Sequence, residues 1–132
     1  RDFIRNRNLS DSVRIFGPKN QEEIAHLMNI ADCLCLSSAF EGMPRVALEA
    51  LQCGLPVVST KVGEAPRLIA TNRLGRLVSD RTPQALSRAL LDLLSQRPDR
   101  EACQKQVAPF TARKVLGPVY QYYRDLSQRS FS

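Results

Sequence analysis

Hydrophobic positions along this chain alternate between short solid runs and helical spacing. Val13 to Phe16 is an apolar run closed by Gly17-Pro18, which predicts a strand stopped by a turn. Asn20 then offers a helix cap, Glu22 and Glu23 suit a first turn, and Ile24, Leu27, Met28 and Ala31 share one face. A helix is expected over about residues 21–30. Cys33 to Leu36 is solidly apolar again and too short for a helix, the pattern of a strand buried on both faces, and it ends at Ser37-Ser38. The stretch Phe40 to Thr60 reads FEGMPRVALEALQCGLPVVST. Its helix opens at Pro44, taken as the first helical position, and is apolar on nearly every side except at Glu49. A Gly-Pro turn then feeds a third strand over Pro56 to Ser59.

Beyond it, Thr60 to Glu64 reads as a loop before a short helix begun by Pro66, and Arg76 to Ser79 as a fourth strand nearer an edge. Thr82 caps a helix with Pro83 at its first position and Leu86, Ala89, Leu90, Leu93 and Leu94 as its buried stripe. Another helix starts at Pro98. The last, over about residues 111–129, carries Val115, Val119, Tyr122, Tyr123 and Leu126, with Gly117-Pro118 as a kink or break. At this spacing the two tyrosines read as core rather than as a stacking platform.

Strands alternating with helices predict an α/β fold, a doubly wound parallel sheet with helices on both faces and right-handed crossovers. Ligands bind such sheets outside the carboxyl ends of the strands. Three loops are therefore expected to converge on one edge: Gly17 to Lys19, Ser37 to Arg45 and Thr60 to Glu64.

Composition narrows the partners. With 132 residues the chain is one domain's worth, without internal repeat or low-complexity tract. Arg1 to Leu9 reads like the tail of a helix and no initiator Met precedes it, so an excerpt from a longer chain is expected. A net charge of +6 suits anionic small molecules, phosphate-rich partners or an acidic membrane surface. A nucleic-acid binder would show interleaved aromatics and a basic stripe, and neither is present. The four cysteines fit neither metal nor disulfide spacing and read as buried thiols of a reducing cytosol. No apolar run reaches the roughly 18–20 residues of a membrane span, and no signal peptide is visible. The expectation is a soluble cytoplasmic protein, at most peripheral at the cytoplasmic membrane face.

The chemistry concentrates in the central stretch. A carboxylate in an all-apolar helix is expensive unless partnered, which singles out Glu49. Glu41 precedes that helix and Glu49 lies in its second turn, five steps from Pro44, or roughly 7–8 Å along the axis. Between the two sit the N–H groups of the first turn, a natural anion site. A ligand with hydroxyls at both ends and phosphate in the middle, a nucleotide sugar, fits this spacing. Plainer readings stand beside it. Glu49 can simply reach solvent or pair with an arginine, Arg45 can be solvated, and His26, Lys61 and the Ser37-Ser38 pair can be surface or strand-terminating residues.

Phe40-Glu41-Gly42-Met43-Pro44, then Glu49-Ala50, then Gly54-Leu55-Pro56-Val57-Val58 resembles the Glu-x7-Glu signature of retaining glycosyltransferase family 4, in the C-terminal, Rossmann-like, nucleotide-sugar-binding half of the GT-B fold. The likeness extends through Val13 to Gly17, Ala31-Asp32 and Val62-Gly63, nearly the whole chain. It implies that the donor sugar meets Glu41, the residue given a catalytic role. The pyrophosphate meets the backbone of Gly42, Met43, Pro44 and Arg45, the ribose hydroxyls meet Glu49, and Gly17 and Lys19 belong to the base-contacting loop.

The resemblance implies a transferase moving a hexose from a nucleoside diphosphate sugar to a carbohydrate or lipid-linked acceptor, as in polysaccharide biosynthesis. It implies front-face attack, no metal and no other cofactor, with residues 1–132 as one partial donor-binding domain. The family's phosphate-binding Arg and Lys and its acceptor domain would lie upstream, so this piece alone is expected to be inactive. Glu64 stands where the family usually has a second glycine. The alternative is a non-catalytic nucleotide-binding or interaction module on the same fold; the GT-B sugar epimerases share the scaffold but generally lack this glutamate pair.

Overall fold

Three parallel strands, β1 (Leu34–Leu36), β2 (Val57–Thr60) and β3 (Gly75–Val78), pair in that order, with Leu34 opposite Val57 and Val57 opposite Gly75. Around them lie α1 (Asp2–Asn6), α2 (Gln21–Ile30), α3 (Arg45–Gln52), α4 (Ala65–Leu68), α5 (Pro83–Ser95), α6 (Arg100–Val107), a 3-10 turn (Ala108–Phe110) and α7 (Ala112–Arg129). The computed structural model describes residues 2–96 and 99–129, without the side chains of residues 112, 113, 115, 123 and 125–129. The expectations for Pro98 and for the side chains of Val115, Tyr123 and Leu126 lie outside the described residues.

The period of two along β2 makes the layers. Val57 faces a large cluster with Ala47, Ala50 and Leu51 of α3, Leu68 of α4 and Cys103 and Val107 of α6. Val58 faces the other way, onto Val78 of β3 and Leu93 of α5. All four residues of β2 are buried, as a strand covered on both faces requires. The sheet is thus doubly wound.

Local chemistry fixes the helix ends. The Asn20 side chain accepts from the Glu23 N–H at 2.9 Å while the Glu23 carboxylate accepts from the Asn20 N–H at 3.0 Å, a complete capping box that starts α2 where the sequence places it. At the end of α3 the Leu55 N–H donates to the Ala50 carbonyl at 2.8 Å and the Gly54 N–H to Leu51 at 3.0 Å, with Gly54 at φ 73°. That is a Schellman motif, which turns the chain directly into β2. Arg100 then donates to the carbonyls of Asn29, Ala31 and Cys53 at 3.2, 3.4 and 3.3 Å, so one guanidinium caps the negative ends of α2 and α3. Arg76, nearly buried, similarly ties β3 to Asp92 of α5 and to Gln96 at the cap of that helix.

Several expectations are corrected. Val13 to Phe16 is not a strand, and Val13, Ile15 and Phe16 are exposed, because an extended run forms a strand only against a ladder partner and none faces it among the described residues. β1 is an edge strand rather than one buried on both faces, and Cys35 is exposed. Of the four thiols only Cys103 is buried, and that burial pushes its pKa up to about 11. Leu94 leaves the stripe of α5 at 46% exposed, since the second core takes Leu93 as its fully buried residue with Ala85, Leu86, Ala89 and Leu90 partly buried around it. The helical span of α7 continues through Gly117-Pro118 without a break, and Tyr122 is exposed rather than core. Pro44 is the cap of α3 rather than its first residue.

At Gly54 the turn itself requires a glycine. An added Cβ would sit 3.1 Å from both the Cβ and the carbonyl oxygen of Arg100, on a backbone that L side chains rarely adopt. Gly54→Ala is expected to cost about 1–2 kcal/mol in urea unfolding.

Candidate functional site

The carboxyl ends of β1 and β2 open into two loops that grip each other. Thr60, at the buried end of β2, donates its hydroxyl to the Ser38 carbonyl at 2.7 Å. Ser38 in turn donates its hydroxyl to Glu41 Oε1 at 2.8 Å. Three residues after Thr60 the chain presses in again: Gly63 sits at φ 45°, and a Cβ there would lie 1.9 Å from the Gly42 oxygen and 2.3 Å from that of Glu41. The next N–H, that of Glu64, donates to the same Gly42 oxygen at 2.9 Å. The amide at the non-glycine position of the Val62-Gly63-Glu64 loop is therefore spent inside the protein.

Immediately after this clasp, Pro44 is fully buried and its carbonyl accepts the Ala47 and Leu48 N–H groups at 3.0 and 3.2 Å. The N–H groups of Arg45 and Val46 precede any intrahelical acceptor and add to the positive end of α3. Gly42 and Met43 are exposed just ahead of them. Glu41, half-buried, and the backbone from Gly42 to Arg45 thus form one continuous polar lip at the strand ends.

Glu49 is not the buried charge that the apolar pattern suggests. Its side chain is 43% exposed, and the guanidinium of Arg45, itself 82% exposed, stands 4.0 Å away, a pair worth at most about 1 kcal/mol. The helix is narrower than its composition implies, because only Ala47, Ala50 and Leu51 are buried in it. Glu49 instead faces a groove of about 320 Å³ between α2 and α3, lined also by Gln21, Ile24, Met28 and Gln52. Glu41 does not line this groove.

The third expected loop stands apart. Lys19 forms an ion pair with Glu23 at 2.6 Å and lies 6.0 Å from the centre of the Phe16 ring, while Gly17 has open space around it. Hydrogen bonding from Lys19, and then from the Asn20 N–H, holds the Glu23 carboxyl below its ordinary range. Phe16 and Lys19 line a separate groove of about 370 Å³ with His26 and Leu27, to which neither Glu41 nor Glu49 contributes. Two of the three loops are brought together and the third is not. Sequence reasoning named the loops that hold Ser38, Thr60 and Gly63 but not the contacts these three residues make with one another's loops. The signals were a hydroxyl at each strand end and a glycine three residues past the second. Among the described residues no group of His, Cys, Asp and Glu is arranged to hold a metal ion, and no helix is long and apolar enough to cross a membrane.

Comparison with known proteins bears on this geometry. The family described as glycosyl transferases group 1 matches residues 1–108. A D-inositol 3-phosphate glycosyltransferase of Corynebacterium urealyticum is 36% identical over 122 residues, which cover 89% of this chain and 29% of the relative. An amylovoran biosynthesis glycosyltransferase of Erwinia amylovora is 38% identical over 96 residues, covering 68% of this chain and 24% of its own. Among solved structures, the sucrose-phosphate synthase of Thermosynechococcus elongatus superposes with a TM-score of 0.83 at 27% identity, over 97% of this chain and 33% of that one. The fold is therefore the Rossmann-like α/β architecture of GT-B proteins, and the chain spans no more than about a third of the length of these relatives.

The clasp makes a direct prediction. Gly63→Ala drives a methyl into the Gly42 carbonyl, so the loops must part, at about 2–5 kcal/mol from the left-handed backbone and the overpacking together. The Glu64 amide, freed from Gly42, is expected to exchange its hydrogen at least about tenfold faster in the variant, as read by NMR.

Proposed function

This chain belongs to the group 1 glycosyl transferases, and from that premise we propose that it is the donor-binding part of a retaining enzyme that moves a hexose from a nucleoside diphosphate sugar to a carbohydrate or lipid-linked acceptor. One observation carries the reading: a carboxylate held at the end of β1 stands directly before the N-terminus of α3, with a second carboxylate in the next turn of that helix. In this reading Glu41 meets the sugar, the backbone from Gly42 to Arg45 meets the diphosphate, and Glu49 accepts from the ribose hydroxyls. Gly17 and Lys19 remain the candidates for the nucleobase. Lys19 sits at a groove of its own, beside Phe16, His26 and Leu27.

The chemistry follows from charge. As the glycosidic bond to the diphosphate breaks, negative charge grows on the departing oxygen, and fixed N–H dipoles at the α3 terminus are placed to meet it. Arg45, exposed and only loosely engaged by Glu49, has the reach to join them. The diphosphate is stabilised by these groups and by basic side chains elsewhere in the whole protein, without a metal ion. Departure and attack occur on one face of the sugar, so the anomeric configuration is kept. The net charge of +6 suits a cytoplasmic enzyme whose acceptor is presented at an acidic membrane face.

Substitution in the full-length protein tests the assignment. Glu49→Ala removes a hydrogen bond to a charged acceptor, about 1.5–3 kcal/mol, so donor affinity by calorimetry is expected to fall roughly 10- to 150-fold. Glu41→Ala is expected to lower turnover by at least about 100-fold, as loss of a charge-stabilising contact at the reacting centre. Unchanged affinity and turnover in both variants would sink the site. Nucleoside diphosphate binding that persists with no sugar transfer in the unmodified protein would point instead to a non-catalytic nucleotide-binding module.

A further inference from the structure

The clasp holds a relay of hydrogen bonds that runs from the rigid centre of the sheet to the carboxylate of Glu41. Thr60 is the last residue of the fully buried β2, and its carbonyl also accepts the Ser59 hydroxyl at 2.8 Å, so its backbone is fixed from several sides. Its hydroxyl holds the Ser38 carbonyl at 2.7 Å, and the Ser38 hydroxyl holds Glu41 Oε1 at 2.8 Å. Each link runs in one direction, from a hydroxyl donor to an oxygen acceptor, and the last acceptor is a carboxylate, which strengthens the bond. A serine whose only task were to end β1 would be served by its backbone. Here the hydroxyl reaches forward across three residues of loop.

From this geometry we propose that Ser38 is the positioning residue for Glu41: it occupies Oε1 and thereby turns Oε2 toward the donor sugar. The inference rests on the reading of Glu41 as the sugar-contacting carboxylate. A carboxylate on a loop samples several rotamers, and a misplacement of about 1 Å at a reacting centre can cost on the order of 100-fold in rate. Ser38 removes that freedom before the donor arrives. The Ser38 backbone is held by the Thr60 hydroxyl, so the residue that grips the loop carboxylate is tied to the buried strand.

A double-mutant cycle in the full-length protein separates positioning from mere structure. Ser38→Ala is expected to lower turnover roughly 10- to 100-fold with the donor KM changed by less than about threefold, and Ser38→Thr, which keeps the hydroxyl, to restore most of it. In a Glu41→Ala background the same Ser38→Ala change is expected to cost less than about twofold, because no carboxylate remains to be aimed. Thermal unfolding checks that the variants are folded. Ser38→Cys, equal in size and a weak donor, gives the same comparison should the alanine variant not fold. Equal losses in both backgrounds would overturn the inference, as would full turnover of Ser38→Ala beside an inactive Glu41→Ala. A Glu41→Ala protein with undiminished turnover would instead remove the reading of Glu41 itself, and this inference with it.

Discussion

Everything at the candidate site depends on one close approach, that of Gly63 to the carbonyls of Glu41 and Gly42. No residue with a side chain fits between the two loops, since its Cβ would lie inside the van der Waals envelope of both oxygens. Because the approach is allowed, the Glu64 N–H reaches Gly42, and the loop carrying Glu41 is pinned at two points, once at Ser38 and once at Gly42. The strand that supplies the pin is the most deeply buried element of the protein. A loop that would otherwise move freely is made an extension of the core.

The same economy operates at the other end of α3. The Schellman turn at Gly54 brings the chain from helix to β2 within a few residues, and Arg100 neutralises the carbonyl ends of α2 and α3 together. The helix that presents its amino end to the candidate site is thus anchored at its carboxyl end by a cation, with the positive end of its dipole at the Gly42 to Arg45 backbone. Short as it is, α3 has both ends committed. Its Glu49 is free of the core, half-exposed on the α2 groove, where a hydroxyl-bearing ligand can reach it.

The class of the fold was legible in the chain because its signals are local. Solid apolar runs separated by capped helical patterns identify β1, α2, α3, β2 and α5 almost to the residue, and Asn20, Thr82 and the Gly54-Leu55-Pro56 turn carry their own stop and start chemistry. What misled was pattern without context. Val13 to Phe16 has the composition of a strand but no ladder partner among the described residues, and Cys33 to Leu36 has the composition of a central strand but lies on an edge. Glu49 looked buried because its neighbours in sequence are apolar, although a helix of eight residues hides only the face turned to the sheet. Glu41 and Glu49 were singled out by spacing and resemblance. The Ser38, Thr60 and Gly63 clasp was not, because it joins residues more than twenty positions apart through oxygens and a missing side chain, neither of which leaves a periodic trace.

The central claim is that the lip from Glu41 to Val46 and the carboxylate of Glu49 together hold one nucleoside diphosphate sugar. A crystal structure of the full-length protein with donor bound tests it most directly. The account predicts the diphosphate within hydrogen-bond distance of backbone N–H groups between Gly42 and Val46, the ribose hydroxyls on Glu49, and the sugar beside Glu41 with Ser38 still donating to that carboxylate. A donor bound elsewhere, with these amides and both carboxylates left in solvent, would contradict it.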